Sequence, residues 1–113
     1  MSVLALMVAV VVGPAQAAGT QWCAGKVLHV LTYADGSVHL FGEWRGDYTQ
    51  MCNLAGDWKG VPALTCKAWL STAQVALVTG RNVIVQYADA PACNAIPAYG
   101  VAPGPAYLML RSD

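Results

Sequence analysis

Four cysteines, Cys23, Cys52, Cys66 and Cys93, set the first bounds on the chemistry of this chain. None belongs to a C-x-x-C pair, the spacing that brings two thiolates onto one zinc ion. What precedes them points to disulfides instead. Ser2 to Val12 are almost wholly Val, Ala, Leu and Met, Gly13-Pro14 break the run, and Ala15-Gln16-Ala17 give an A-x-A cleavage pattern. The run is about half of the roughly 20 residues that a transmembrane helix needs. Residues 1–17 are therefore read as a signal peptide and residues 18–113 as a single exported domain, periplasmic or secreted. An even cysteine count in an exported small domain reads as a disulfide framework. No metal and no cofactor is expected.

Catalytic arrangements are sparse. With all four thiols oxidised no cysteine nucleophile remains, and no G-x-S-x-G elbow presents a serine. Glu43 and Asp47 flank a Trp-Arg pair. A glycosidase requires two carboxylates at a defined separation across a cleft, whereas charged residues in a turn are ordinarily solvated. Arg45-Gly46-Asp47 spells a tripeptide read by some animal adhesion receptors, but three-residue motifs recur by chance and Gly-Asp is common turn chemistry. The reading is a protein that is not an enzyme.

Binding chemistry is better represented. Trp44, Tyr48 and Trp58 cluster with Arg45, Asp47 and Asp57 in or beside loop-like stretches. An apolar platform with a few placed polar groups is what a sugar or peptide site requires. Trp44, Arg45, Asp47, Tyr48 and Trp58 are the candidate ligand-binding residues; the alternative is that the rings plug the ends of a small barrel. Trp22 beside Cys23 reads as the cover of a disulfide. Six acidic and six basic side chains cancel. No basic stripe exists to meet nucleic acid, and no Lys/Arg-rich amphipathic helix to lie on a membrane. The expected partner is a glycan or a protein.

These residues need elements to position them. Gly25 to Phe41 reads as a hairpin, because Asp35-Gly36 between apolar runs is the signature of a two-residue type I′ turn. That register pairs Thr32 with His39 and places His29 and His39 on opposite faces, so a shared metal or proton relay is not expected. Glu43 to Asp47 reads as a turn and Tyr48 to Leu54 as a strand. Pro62 opens a helix on which Cys66, Trp69, Leu70, Ala73, Ala76 and Leu77 share one face, closed by Gly80. Val83 to Tyr87 and Ala106 to Leu110 read as strands, joined by a Pro/Gly/Ala-rich loop that carries Cys93.

The order β-β-β-α-β-β is that of the OB-fold, so the fold class is mainly β with one helix: an OB-fold-like, five-stranded small barrel stapled by disulfides. In such a barrel the start of the first strand lies near the end of the fourth. That favours Cys23–Cys93 and leaves Cys52 on the third strand to pair with Cys66 on the helix.

The passage from Cys52 through the helix to Thr79-Gly80-Arg81 and Val83-Ile84-Val85 resembles the B subunits of AB5 toxins, most nearly the subtilase cytotoxin type. The resemblance covers about 35 of the residues and rests on a strand cysteine, a helix ending in a Thr-Gly turn, and a β-branched strand. It implies an exported OB-fold that assembles as a pentameric homo-oligomer and binds host glycans. It carries over no sugar-binding residue.

Overall fold

A computed structural model describes residues 18–113. The signal-peptide reading of residues 1–17 lies outside the described residues. Five strands and one helix follow in the order β1 (Gly19–Thr32), β2 (Ser37–Gly42), β3 (Tyr48–Asn53), α1 (Ala63–Thr79), β4 (Asn82–Ala90) and β5 (Tyr107–Leu110). The strands form one antiparallel sheet in the order β3-β2-β1-β4-β5. This is the mainly β, one-helix, OB-like arrangement expected from the sequence.

β1 explains how so small a sheet curves. It begins at Gly19 rather than Gly25, and it serves two neighbours in turn. Its first half pairs with β4 as far as Lys26↔Asn82, and its second half pairs with β2 from Val27↔Gly42 onward. The register shifts between Val27 and His29, an irregularity of the kind that bends a strand and increases its twist.

The sheet does not close by strand pairing, because β3 and β5 are not neighbours. The β4–β5 loop covers the edge of β3 instead. Tyr99 N–H donates to the Tyr48 carbonyl at 2.7 Å, and Gln50 N–H donates to the Tyr99 carbonyl at 3.1 Å. Arg45 Nε donates to the Ile96 carbonyl. Lys59 Nζ donates to the carbonyls of Gly100 at 2.9 Å and Ala102 at 2.6 Å. The loop thus meets β3 at one parallel bridge, Thr49 to Tyr99, and covers part of an edge that would otherwise offer unpaired amides to another chain.

The core lies between the inner face of the sheet and α1. Val27, Val38, Leu40, Met51, Val83, Val85 and Tyr87 meet Cys66, Ala73 and Ala76 of the helix there, all buried. Trp69 and Leu70 pack against this core from the helix, whereas Leu77 is 39% exposed. Pro62 caps the start of α1, and Gly80, left-handed at φ 70°, ends it with its N–H on the Ala76 carbonyl.

Disulfides join Cys23 to Cys93 and Cys52 to Cys66, closing sequence separations of 70 and 14 residues. Loop closure at those lengths stabilises by about 4 and about 3 kcal/mol respectively. The bonds belong to an oxidising environment such as that met on export. Trp22 does not cover the first of them: it stands one position from Cys23, on the other side of an alternating strand, and is 59% exposed. No helix among the described residues is long and apolar enough to cross a membrane.

Candidate functional site

The β1–β2 turn decides which side chains share a face, and it differs from the two-residue turn expected. Tyr33 N–H donates to the Ser37 carbonyl at 2.9 Å, and Gly36 N–H donates to the Tyr33 carbonyl at 3.0 Å. The loop therefore holds three residues, Ala34-Asp35-Gly36, with Gly36 at φ 91°. This is a type I turn followed by a left-handed glycine. Asp35 fixes it, accepting at one oxygen from Ser37 N–H at 2.9 Å and from the Ser37 hydroxyl at 2.7 Å. The same two bonds hold its carboxyl below the usual carboxylate range.

The extra loop residue slides β1 by one position against β2. His39 pairs with Leu31 rather than Thr32, and His29 pairs with Phe41. The histidines therefore occupy the same face of the sheet, a correction to the opposite faces expected, since a one-residue slip turns every side chain over.

That face is aromatic. Counting along it, His29 and Phe41 lie 5.1 Å apart between ring centroids, Phe41 and Tyr48 5.2 Å, and Tyr48 and Tyr99 5.9 Å. Tyr99 lies 5.6 Å from His39, which lies 5.1 Å from Tyr33. Edge-on contacts hold the His29–Phe41, Tyr33–His39 and Phe41–Tyr48 pairs, the geometry that ring quadrupoles prefer. His29 comes from β1, Tyr33 directly follows that strand, His39 and Phe41 come from β2, Tyr48 from β3 and Tyr99 from the covering loop.

Exposure within this row is uneven. Tyr33 is 45% and Tyr99 43% exposed, whereas His39 beneath them is 3% exposed. His39 Nδ1 is buried without a hydrogen-bond partner among the described residues. Burial lowers its pKa, opposed by the Asp35 carboxylate. The phenol of Tyr99 is held above its ordinary value, first by desolvation and then by Tyr33, the Asp47 carboxylate and Tyr48. On the inner face Tyr87 is also orphaned at its hydroxyl, and burial pushes its pKa up to about 12, with the Thr49 hydroxyl working against that rise.

The five residues singled out in the sequence are distributed along this structure. Tyr48 stands in the aromatic row, and Asp47 beside it accepts from Tyr48 N–H at 2.7 Å. Arg45 holds the loop at Ile96. Trp44 is half-buried against the core, its ring lying where a Cβ on Gly42 would stand; only glycine permits that approach. Trp58 lies beyond the far end of β3, with Lys59 Nζ 4.8 Å from its ring centroid. Thus Arg45, Asp47 and Tyr48 come together with the covering loop, and Lys59 Nζ, over the Trp58 ring, bonds to the same loop at Gly100 and Ala102. Glu43 is engaged as the acceptor for Lys26 N–H at 2.9 Å.

Tyr33, Phe41 and Tyr99 were not singled out in the sequence, and His29 and His39 were weighed only as a metal or relay pair and set aside on the expected register. His39 and Phe41, two apart on one strand, carried a usable signal, but it depended on the register. Tyr99, in an irregular loop, carried none.

A second surface lies on the helix. Lys67 is the one charged residue of α1, and Leu64 and Val78 are each 81% exposed. Leu54, Ala63, Leu64, Lys67 and Leu70 line a shallow depression of about 490 Å³. Compared with protein-family models, curated proteins and solved structures, the chain matches none.

Proposed function

We propose that this is an exported, non-catalytic binding module that holds a glycan on its outer aromatic face. The observation that carries this reading is the pair of half-exposed tyrosine rings, Tyr33 and Tyr99, over a buried histidine. Exposed rings with carboxylates at their margin are the elements of a sugar site: an apolar platform and a few oriented acceptors. Tyr48 and Asp47 belong to the same face. Arg45 and Lys59 serve it by fixing the loop that carries Tyr99. The export reading rests on the apolar leader together with two disulfides.

The resemblance to toxin B subunits adds a ring of five copies to this proposal. Native mass spectrometry of the oxidised protein, followed by a glycan array, tests it. Sugar binding that is lost in Tyr99→Ala supports the module, and a pentamer supports the toxin-like assembly. A monomer that binds no sugar overturns both.

A second reading is a structural or inhibitory protein that works through protein contacts. The uncovered apolar side of α1, with Leu64 and Val78 outward, favours it. Such a protein binds no sugar and co-purifies with a protein whose recovery is lost in Leu64→Asp.

A further inference from the structure

We propose that the outer aromatic face selects neutral pyranose sugars and turns away acidic ones, because Tyr33 and Tyr99 border it together with the carboxylates Asp35 and Asp47. The proposal rests on the reading of this face as a glycan site and specifies the sugar class it takes.

The geometry supplies both halves of pyranose recognition. A pyranose presents a face of C–H groups that stacks on an aromatic ring, and a rim of hydroxyls that donate hydrogen bonds. Tyr33 and Tyr99 offer rings that are 45% and 43% exposed on either side of His39. Asp35 stands in the turn that follows Tyr33, and Asp47 precedes Tyr48 in the chain. Each carboxylate uses one oxygen, Oδ1, to fix local backbone. Its Oδ2 has no hydrogen-bond partner among the described residues and is free to accept from a sugar hydroxyl. Bonds to an ionised acceptor are roughly twice as strong as neutral ones.

Charge excludes the acidic class. None of the six ring residues is Lys or Arg. Arg45 is tied through Nε to the Ile96 carbonyl and Lys59 through Nζ to the Gly100 and Ala102 carbonyls, so both side chains are held by the backbone of the covering loop. The Asp47 carboxylate opposes ionisation of the Tyr99 phenol and so lies within electrostatic reach of that ring. A sugar carboxylate arriving there meets the like charge of Asp35 and Asp47, whereas acidic-ligand sites are built around guanidinium or ammonium groups turned to the ligand.

Saturation-transfer NMR on the oxidised protein provides the test. The neutral probes are lactose, maltotriose and chitotriose; the acidic probes are sialyllactose and oligogalacturonate. At least one neutral probe is expected to show transfer, with its C–H face closest to the protein, and the acidic probes none. Tyr99→Ala should weaken the neutral probe by about tenfold or more, the loss of roughly 1.4 kcal/mol. Asp47→Asn keeps an oxygen for Tyr48 N–H and removes the charge. It should weaken the neutral probe and let sialyllactose bind measurably. Tyr99-dependent binding of an acidic probe to the unaltered protein overturns the selectivity while leaving the glycan reading standing. Absence of transfer from every probe overturns both.

Discussion

The two faces of β2 are both covered, and they are covered for different ends. Val38 and Leu40 point inward, each 1% exposed, and meet apolar side chains and the helix. His39 and Phe41 point outward into a row of rings. The inner face is stapled by two disulfides. The outer face is closed by a loop whose hold on β3 is a short run of hydrogen bonds, and it leaves the His39 Nδ1 buried and unpartnered. An unsatisfied buried nitrogen costs stability. The inner face has one unsatisfied buried atom too, the Tyr87 hydroxyl, so the contrast between the faces lies in their cover: disulfides and the helix inside, a hydrogen-bonded loop and a row of rings outside.

The difference is open to direct attack. The largest effect is expected from Cys23→Ala with Cys93→Ala, which should lower stability by about 4 kcal/mol, read from urea unfolding. A similar scale is expected inside: Leu40→Ala should cost about 2–5 kcal/mol. Its outward neighbour sharpens the comparison, because Phe41→Ala should cost only about 1–2 kcal/mol, the loss of a partly buried ring and its edge contacts. Equal losses at both positions would mean that the two faces do the same work. Gly42→Ala lies at the seam. It should cost about 1–3 kcal/mol by displacing the Trp44 ring, with the change in tryptophan fluorescence as readout.

The smallest effect is a pH dependence. His39 has a pKa lowered by burial from an ordinary value of 6.5, so the folded state binds fewer protons than the unfolded state below that pH. Its contribution to stability is fully present above pH 6.5 and is lost as pH falls from there toward the lowered folded value. The thermal midpoint should decline between pH 7 and pH 5, a window above the carboxylate range. His39→Phe should flatten that decline, and an unchanged slope would assign it elsewhere.

Most of the scaffold was legible in the sequence. The β-branched alternation of Val83, Val85 and Tyr87, the Gly80 stop and the cysteine positions each report a local rule, and the topology then brings Cys23 near Cys93. The face was less legible. One residue in the Ala34-Asp35-Gly36 loop turns every side chain of β1 relative to β2, and Asp-Gly fits both loop lengths. The β1 start at Gly19 was hidden because Gly19 to Lys26 lacks a continuous apolar run. Tyr99 reaches the site by long-range bonds to Tyr48 and Gln50, which no local pattern encodes.

The measurement that bears most directly on the account is made on Tyr33→Ala/Tyr99→Ala: its thermal midpoint and its binding of a neutral oligosaccharide, determined side by side with the unaltered protein. A midpoint within a few degrees and binding lost is the predicted result, since the rings serve the ligand and the inner face holds the fold. A collapsed midpoint would contradict the account and make the tyrosines part of what holds the sheet together.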